Sequence, residues 1–105
     1  MNSQLGRAAA THSADMVRKK FFSHTGSDGS SIGTRVTRTG YKWRAVGENI
    51  AAGQRGPDAA VRAWMGSPGH RRNILSPNFK NMGYADNNNH HTQVFGTLQS
   101  GSGCR

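Results

Sequence analysis

The sequence predicts an α+β domain, and three observations predict it. Apolar residues recur at helical spacing through the first twenty positions, prolines open helical patterns at Pro57 and Pro68, and the last third reads as two strands around the turn-forming run "DNNN". With 105 residues the chain makes one domain, with room for a modest core and one site.

From Asn2 to about Lys20, Leu5, Ala8, Ala9, His12, Met16 and Val17 fall three and four positions apart, while Arg7, Asp15, Arg18 and Lys19 fall mostly elsewhere. This spacing predicts an amphipathic helix with His12 on its buried stripe, as a core histidine with a satisfied nitrogen. A shorter helix is predicted from Ser31 to Thr39, capped by Ser31 and stopped at Gly40, with Ile32 and Val36 inward and Arg35 as a further inward candidate. The stretch "AVGENIAAG" reads as a short strand or extended loop. Pro57 and Asp58 suit the first turn of a third helix, whose apolar stripe is Ala60, Val61, Trp64 and Met65; Trp64 and Met65 are expected to be buried. In "SPGHRRNIL", Ser67 is the cap and Pro68 the first residue of a further helical turn. Strands are predicted at about Asn81 to Ala85 and His91 to Leu98, and "GSGCR" reads as a frayed tail.

Composition narrows the function classes. The formal charge of +9 at pH 7 attracts anionic polymers non-specifically, but the bases are scattered without a block or a nucleic-acid motif, which argues against specific nucleic-acid recognition. Cys104 stands alone beside the C-terminus, so no internal disulfide is available and the fold depends on its core. The start "MNSQLGRAAATHSADM" lacks the basic and apolar regions of a signal peptide, and no apolar stretch is long enough for a membrane span. The chain reads as a mature or trimmed domain.

Candidate chemistry centres on four side chains. Glu48 is the only glutamate and sits between Gly47 and Asn49 in an otherwise apolar run, an odd place for a solubilising charge. His24, His70 and His90 stand beside turn residues, where functional groups tend to lie. Two imidazoles and a carboxylate are the ligand set of a zinc site with an open position, and they can equally form an acid and base pair near neutral pH. Plainer roles compete: His70 packing or bonding locally, Glu48 accepting backbone N–H groups in a glycine-rich turn, and His91 solvated on the strand face opposite His90. No G-x-S-x-G motif occurs, "GSDGSSIG" lacks the lysine of a phosphate loop, and Cys104 is a poor nucleophile at a chain end.

In order and spacing, "FFSHT", "GYKWRAVGENIAAG", "AVRAWMGSPGHRRNIL" and "HTQVFG" resemble the CAP superfamily (cysteine-rich secretory proteins, antigen 5, pathogenesis-related class 1 proteins), in its disulfide-poor bacterial branch. The resemblance runs from about Leu5 to Gly96. It implies a three-layer α-β-α sandwich, with a small antiparallel sheet between helices and a central cleft holding two histidines and acidic partners. Carried over by motif, His24 is the histidine before the glycine-rich loop, Glu48 the glutamate of "GEN", and His90 the histidine of H-x-T-Q. His24, His90 and Glu48 are thereby the expected ligands of zinc or another divalent metal, with His70 also in the cleft.

Ser67 stands where many eukaryotic members place a second glutamate, and the chain is expected to lack the family's most N-terminal segment. The leading functional expectation is a secreted, non-enzymatic binding domain engaging lipid, sterol or cell-envelope components. A metal-dependent hydrolase using the same cleft is the first alternative, and an electrostatic binder of anionic polymers is the second.

Overall fold

The computed structural model describes residues 1–99; the "GSGCR" tail and Cys104 lie outside the described residues. Helix α1 (Ser3–Lys19) starts where the Asn2 side chain accepts a hydrogen bond from the Leu5 N–H, and it ends at Lys20 in a left-handed conformation. Arg18 and Lys19 lie in its last turn, where cations complement the helix dipole. Its apolar spacing buries Leu5, Ala8, Ala9, His12, Ser13 and Met16. Helix α2 (Ile32–Arg38) is capped by the Ser31 hydroxyl and buries Arg35 and Val36.

Strand β1 (Trp43–Ala52) follows, then helices α3 (Pro57–Met65) and α4 (Pro68–Leu75), each with proline in its first turn, and strands β2 (Asn81–Asn87) and β3 (His90–Leu98). Ser67 occupies the position before α4 but makes no side-chain capping bond. β2 and β3 form a hairpin whose two connecting residues, Asn88 and Asn89, have φ of 47° and 62°. That is the paired positive φ of a tight hairpin turn, which asparagine tolerates.

The sheet is antiparallel in the order β1-β3-β2, so β1 is an edge strand. Alternate residues of each strand feed two separate cores. On one face Val46 and Val94 meet Leu5, Ala8, Ala9 and Val36 from α1 and α2, with Tyr41. On the other, Ala51 and Tyr84 meet Ala60 and Trp64 of α3 and Ile74 of α4. The architecture is therefore a three-layer α-β-α sandwich. α1 lies so close to β2 that a Cβ on Gly83 would overlap the Leu5–Gly6 backbone, which is why that position carries no side chain.

The inward stripe of α3 is narrower than its apolar residues suggest. Trp64 is 1% exposed, but Met65 is 37% and Val61 38% exposed, so the expected burial of Met65 is corrected. Ala60 and Trp64, one turn apart, face the sheet, while Val61 and Met65 lie on the flank that it leaves uncovered.

Candidate functional site

Glu48 lies mid-β1, opposite Val94, on the face toward α1 and α2. Its side chain is 1% exposed, and burying a carboxylate requires partners. Two are present. Arg35 Nη2 from α2 lies 2.8 Å and 3.1 Å from the two carboxylate oxygens, and His24 Nδ1 from the α1–α2 loop lies 2.8 Å from Oε1. Arg35 also donates to the His24 carbonyl at 2.9 Å and to the Ser30 carbonyl at 2.9 Å, so one guanidinium fixes both the glutamate and the loop that carries the histidine. Because Glu48 only accepts, the His24 proton resides on Nδ1 in the neutral ring and Nε2 is left with its lone pair. The His24 side chain is 57% exposed.

Beside this pair, a cleft of about 550 Å³ runs along the edge of β1. Phe22, Ser23 and His24 form one wall, Ile50, Ala51, Ala52 and Gln54 the floor, and Ala63, Trp64, Ser67 and His70 the other wall. Ser67 thus lines the cleft at the position where the resemblance sets a second carboxylate. α3 and α4 are held to the strand by polar contacts. Trp64 Nε1 donates to the Ile50 carbonyl at 3.0 Å, and the fully buried Asn49 donates to the His70 carbonyl and to Gln93 Oε1, both at 3.1 Å. Asn73 Nδ2 donates to Asn49 Oδ1 at 2.9 Å.

His24 and Glu48 are therefore in contact and His70 shares their cleft, but His90 is not brought to them. It begins β3 opposite Ala52, its Nδ1 faces the Asn88 carbonyl at 3.1 Å, and it does not line the cleft. Glu48 pairs with Val94, four residues farther along β3, which separates the two positions by about 13 Å along the strand. The expected zinc ligands His24, His90 and Glu48 do not assemble, and among the described residues no group of three or more His, Cys, Asp or Glu could hold a metal. The Glu48 oxygens are already taken by Arg35 and His24, so the residues present do not fit the metal expected for this cleft.

His91, the neighbour of His90, is fully buried rather than solvated. Its Nε2 donates to the Gln54 carbonyl at 2.7 Å, and its Nδ1 faces the Tyr84 hydroxyl at 2.6 Å. Burial pushes the Tyr84 phenol up, so it stays a neutral donor to Nδ1. The contact ties the floor of the cleft at Gln54 to the central strand. His12 is buried with its Nε2 on the Ser23 carbonyl at 2.7 Å, which anchors the loop bearing His24. Burial holds its pKa below the ordinary 6.5, against the opposing pull of the Glu48 charge.

Residues 1–99 match the cysteine-rich secretory protein family, CAP. The chain belongs to the CAP family. The uncharacterized protein YkwD of Bacillus subtilis (strain 168) is 38% identical over 97 residues, covering 90% of this chain and 38% of YkwD. Among solved structures, an extracellular protein containing an SCP domain from Bacillus anthracis superposes with a TM-score of 0.85 at 35% identity, over 88% of this CAP chain and 31% of that one. An outer surface protein of Borrelia burgdorferi shares the fold, with a TM-score of 0.83 at 18% identity over 93% of this chain and 76% of its own. The chain thus spans well under half the length of YkwD and of the Bacillus anthracis protein. No helix among the described residues is long and apolar enough to cross a membrane.

Proposed function

We propose that this CAP domain is a secreted binding module whose ligand, a component of the cell envelope, lies in the cleft between His24 and His70. The observation that carries this reading is the oriented pair at the cleft wall: the buried Glu48 holds the exposed His24 in one tautomer, presenting a fixed polar group beside an apolar wall. Preformed clefts with few fixed polar groups are the usual form of ligand sites. Extracellular placement is supported by the Bacillus anthracis and Borrelia burgdorferi neighbours, which are described as extracellular and outer-surface proteins. Lipid and sterol are the other ligand classes that the family resemblance suggests.

An oriented imidazole is also what a general base requires, so metal-free hydrolysis is the competing reading. His24→Ala decides between them. Loss of binding to isolated cell-envelope fractions, with no turnover of peptide, ester or glycan substrates by the parent protein, supports the binding module. Turnover that disappears in His24→Ala and in Glu48→Gln supports the enzyme.

A further inference from the structure

We infer that the ligand of the His24–His70 cleft is a neutral saccharide, an inference that rests on the cleft being a binding site. The cleft lining contains no Asp, Glu, Lys or Arg. Its one polar atom held in a fixed role is an acceptor. His24 Nε2 keeps a lone pair in the neutral ring because Nδ1 serves Glu48. Ser23, Ser67 and His70 add groups that can donate or accept.

This lining discriminates among ligand classes. A carboxylate or phosphate would find no Lys or Arg on this lining to offset the loss of its hydration. A fatty chain would cover the His24 acceptor and the Ser23 and Ser67 hydroxyls without pairing them, which opposes its binding. A pyranose carries several O–H donors that satisfy them. It also has an apolar C–H face, and Phe22, at 54% exposure on the cleft wall, offers an aromatic ring for that face to cover. The larger apolar groove of about 740 Å³ beside α4 is lined by Met65, Leu75, Arg71 and Arg72 and lacks this acceptor set.

The test is a titration of the ¹⁵N-labelled protein at pH 7.5 with triacetylchitotriose and with maltotriose, followed by NMR, with dodecyl phosphate as an anionic amphiphile. Saturable shifts at Phe22, His24, Gln54, Ser67 and His70 are expected with a saccharide. Phe22→Ala should raise Kd about tenfold. Leu75→Ala, in the other groove, should leave Kd unchanged. Phe22 is exposed, so its replacement does not threaten the fold. If neither saccharide moves these resonances but dodecyl phosphate does, the cleft remains a binding site and the saccharide assignment is overturned. If no probe moves them, both the assignment and the binding-site reading fall.

Discussion

Arg35 and Glu48 form a buried ion pair, at 3% and 1% side-chain exposure, with one guanidinium nitrogen bridging both carboxylate oxygens. The pair joins α2 to the middle of β1, and the same guanidinium holds the carbonyls of His24 and Ser30. It is at once an anchor of the fold and the support beneath the cleft wall.

Removing one member should cost far more than removing both. Arg35→Met strands the Glu48 carboxylate and should lower stability by about 3–5 kcal/mol, whereas the double variant Arg35→Met, Glu48→Gln should recover a large part of that loss. Urea unfolding of the single and double variants measures this. Equal losses in the two would mean that the carboxylate is not desolvated as described.

His12 sets an acid limit on stability. Its folded pKa lies below 6.5, so between that value and about 6.5 the unfolded chain binds a proton that the folded chain does not. Stability therefore falls as pH drops below about 6.5. Asp28 acts in a lower window. Hydrogen bonds from Ser30, then the Arg38 guanidinium, hold it well below the usual carboxylate range, so its contribution is present above 3.8 and lost as pH falls further. Unfolding midpoints of wild type and His12→Gln at about pH 7.5 and 5.5 should show a smaller drop in the variant. An identical drop would remove His12 as the cause.

Trp64 and Met65 are neighbours on α3 with opposite fates. Trp64→Ala deletes a side chain at 1% exposure and its bond to the Ile50 carbonyl, and should cost about 3–5 kcal/mol. Met65→Ala, at 37% exposure, should stay within about 1 kcal/mol. Thermal melts that rank the two the other way would show that α3 is rotated from this register.

Gly83→Ala places a methyl group against the Leu5–Gly6 backbone, where no flexible side chain can yield. Overpacking of this kind costs about 1–3 kcal/mol or more. The expected signature is weakened amide-exchange protection along α1 and β2, with α3 and α4 little changed. Uniform loss of protection across the molecule would instead indicate that the two cores unfold as one.

Much of this architecture is legible in the sequence because its signals are local. Ser31 caps a helix, Pro57 and Pro68 begin two more, and the run holding Asn88 and Asn89 turns the final hairpin. The site is less legible because its contacts are not local. Arg35 could be placed inward by helical spacing, but its pairing with a residue of the next strand depends on how α2 packs. His90 and His91 show the limit most clearly. A strand places neighbouring side chains on opposite faces, and which of the two reaches a partner depends on the helices covering each face. His91 meets Tyr84 and Gln54, while His90 stands near the hairpin turn. The amides Asn49 and Gln93 stand in the "GEN" and H-x-T-Q motifs, but their burial was not legible from residue type, since asparagine and glutamine are more often at the surface.

The edge position of β1 bears on how the domain behaves in a crowd of its own copies. An unpaired strand edge is a template on which another chain can add itself, the first step toward aggregation. Here the outward carbonyls of Glu48 and Ile50 already accept hydrogen bonds from Asn73 and Trp64, so two side chains stand where a fourth strand would dock. The helices that wall the cleft therefore also guard the sheet, and variants of Trp64 or Asn73 should aggregate under conditions where equally destabilised variants of the α1 core stay in solution.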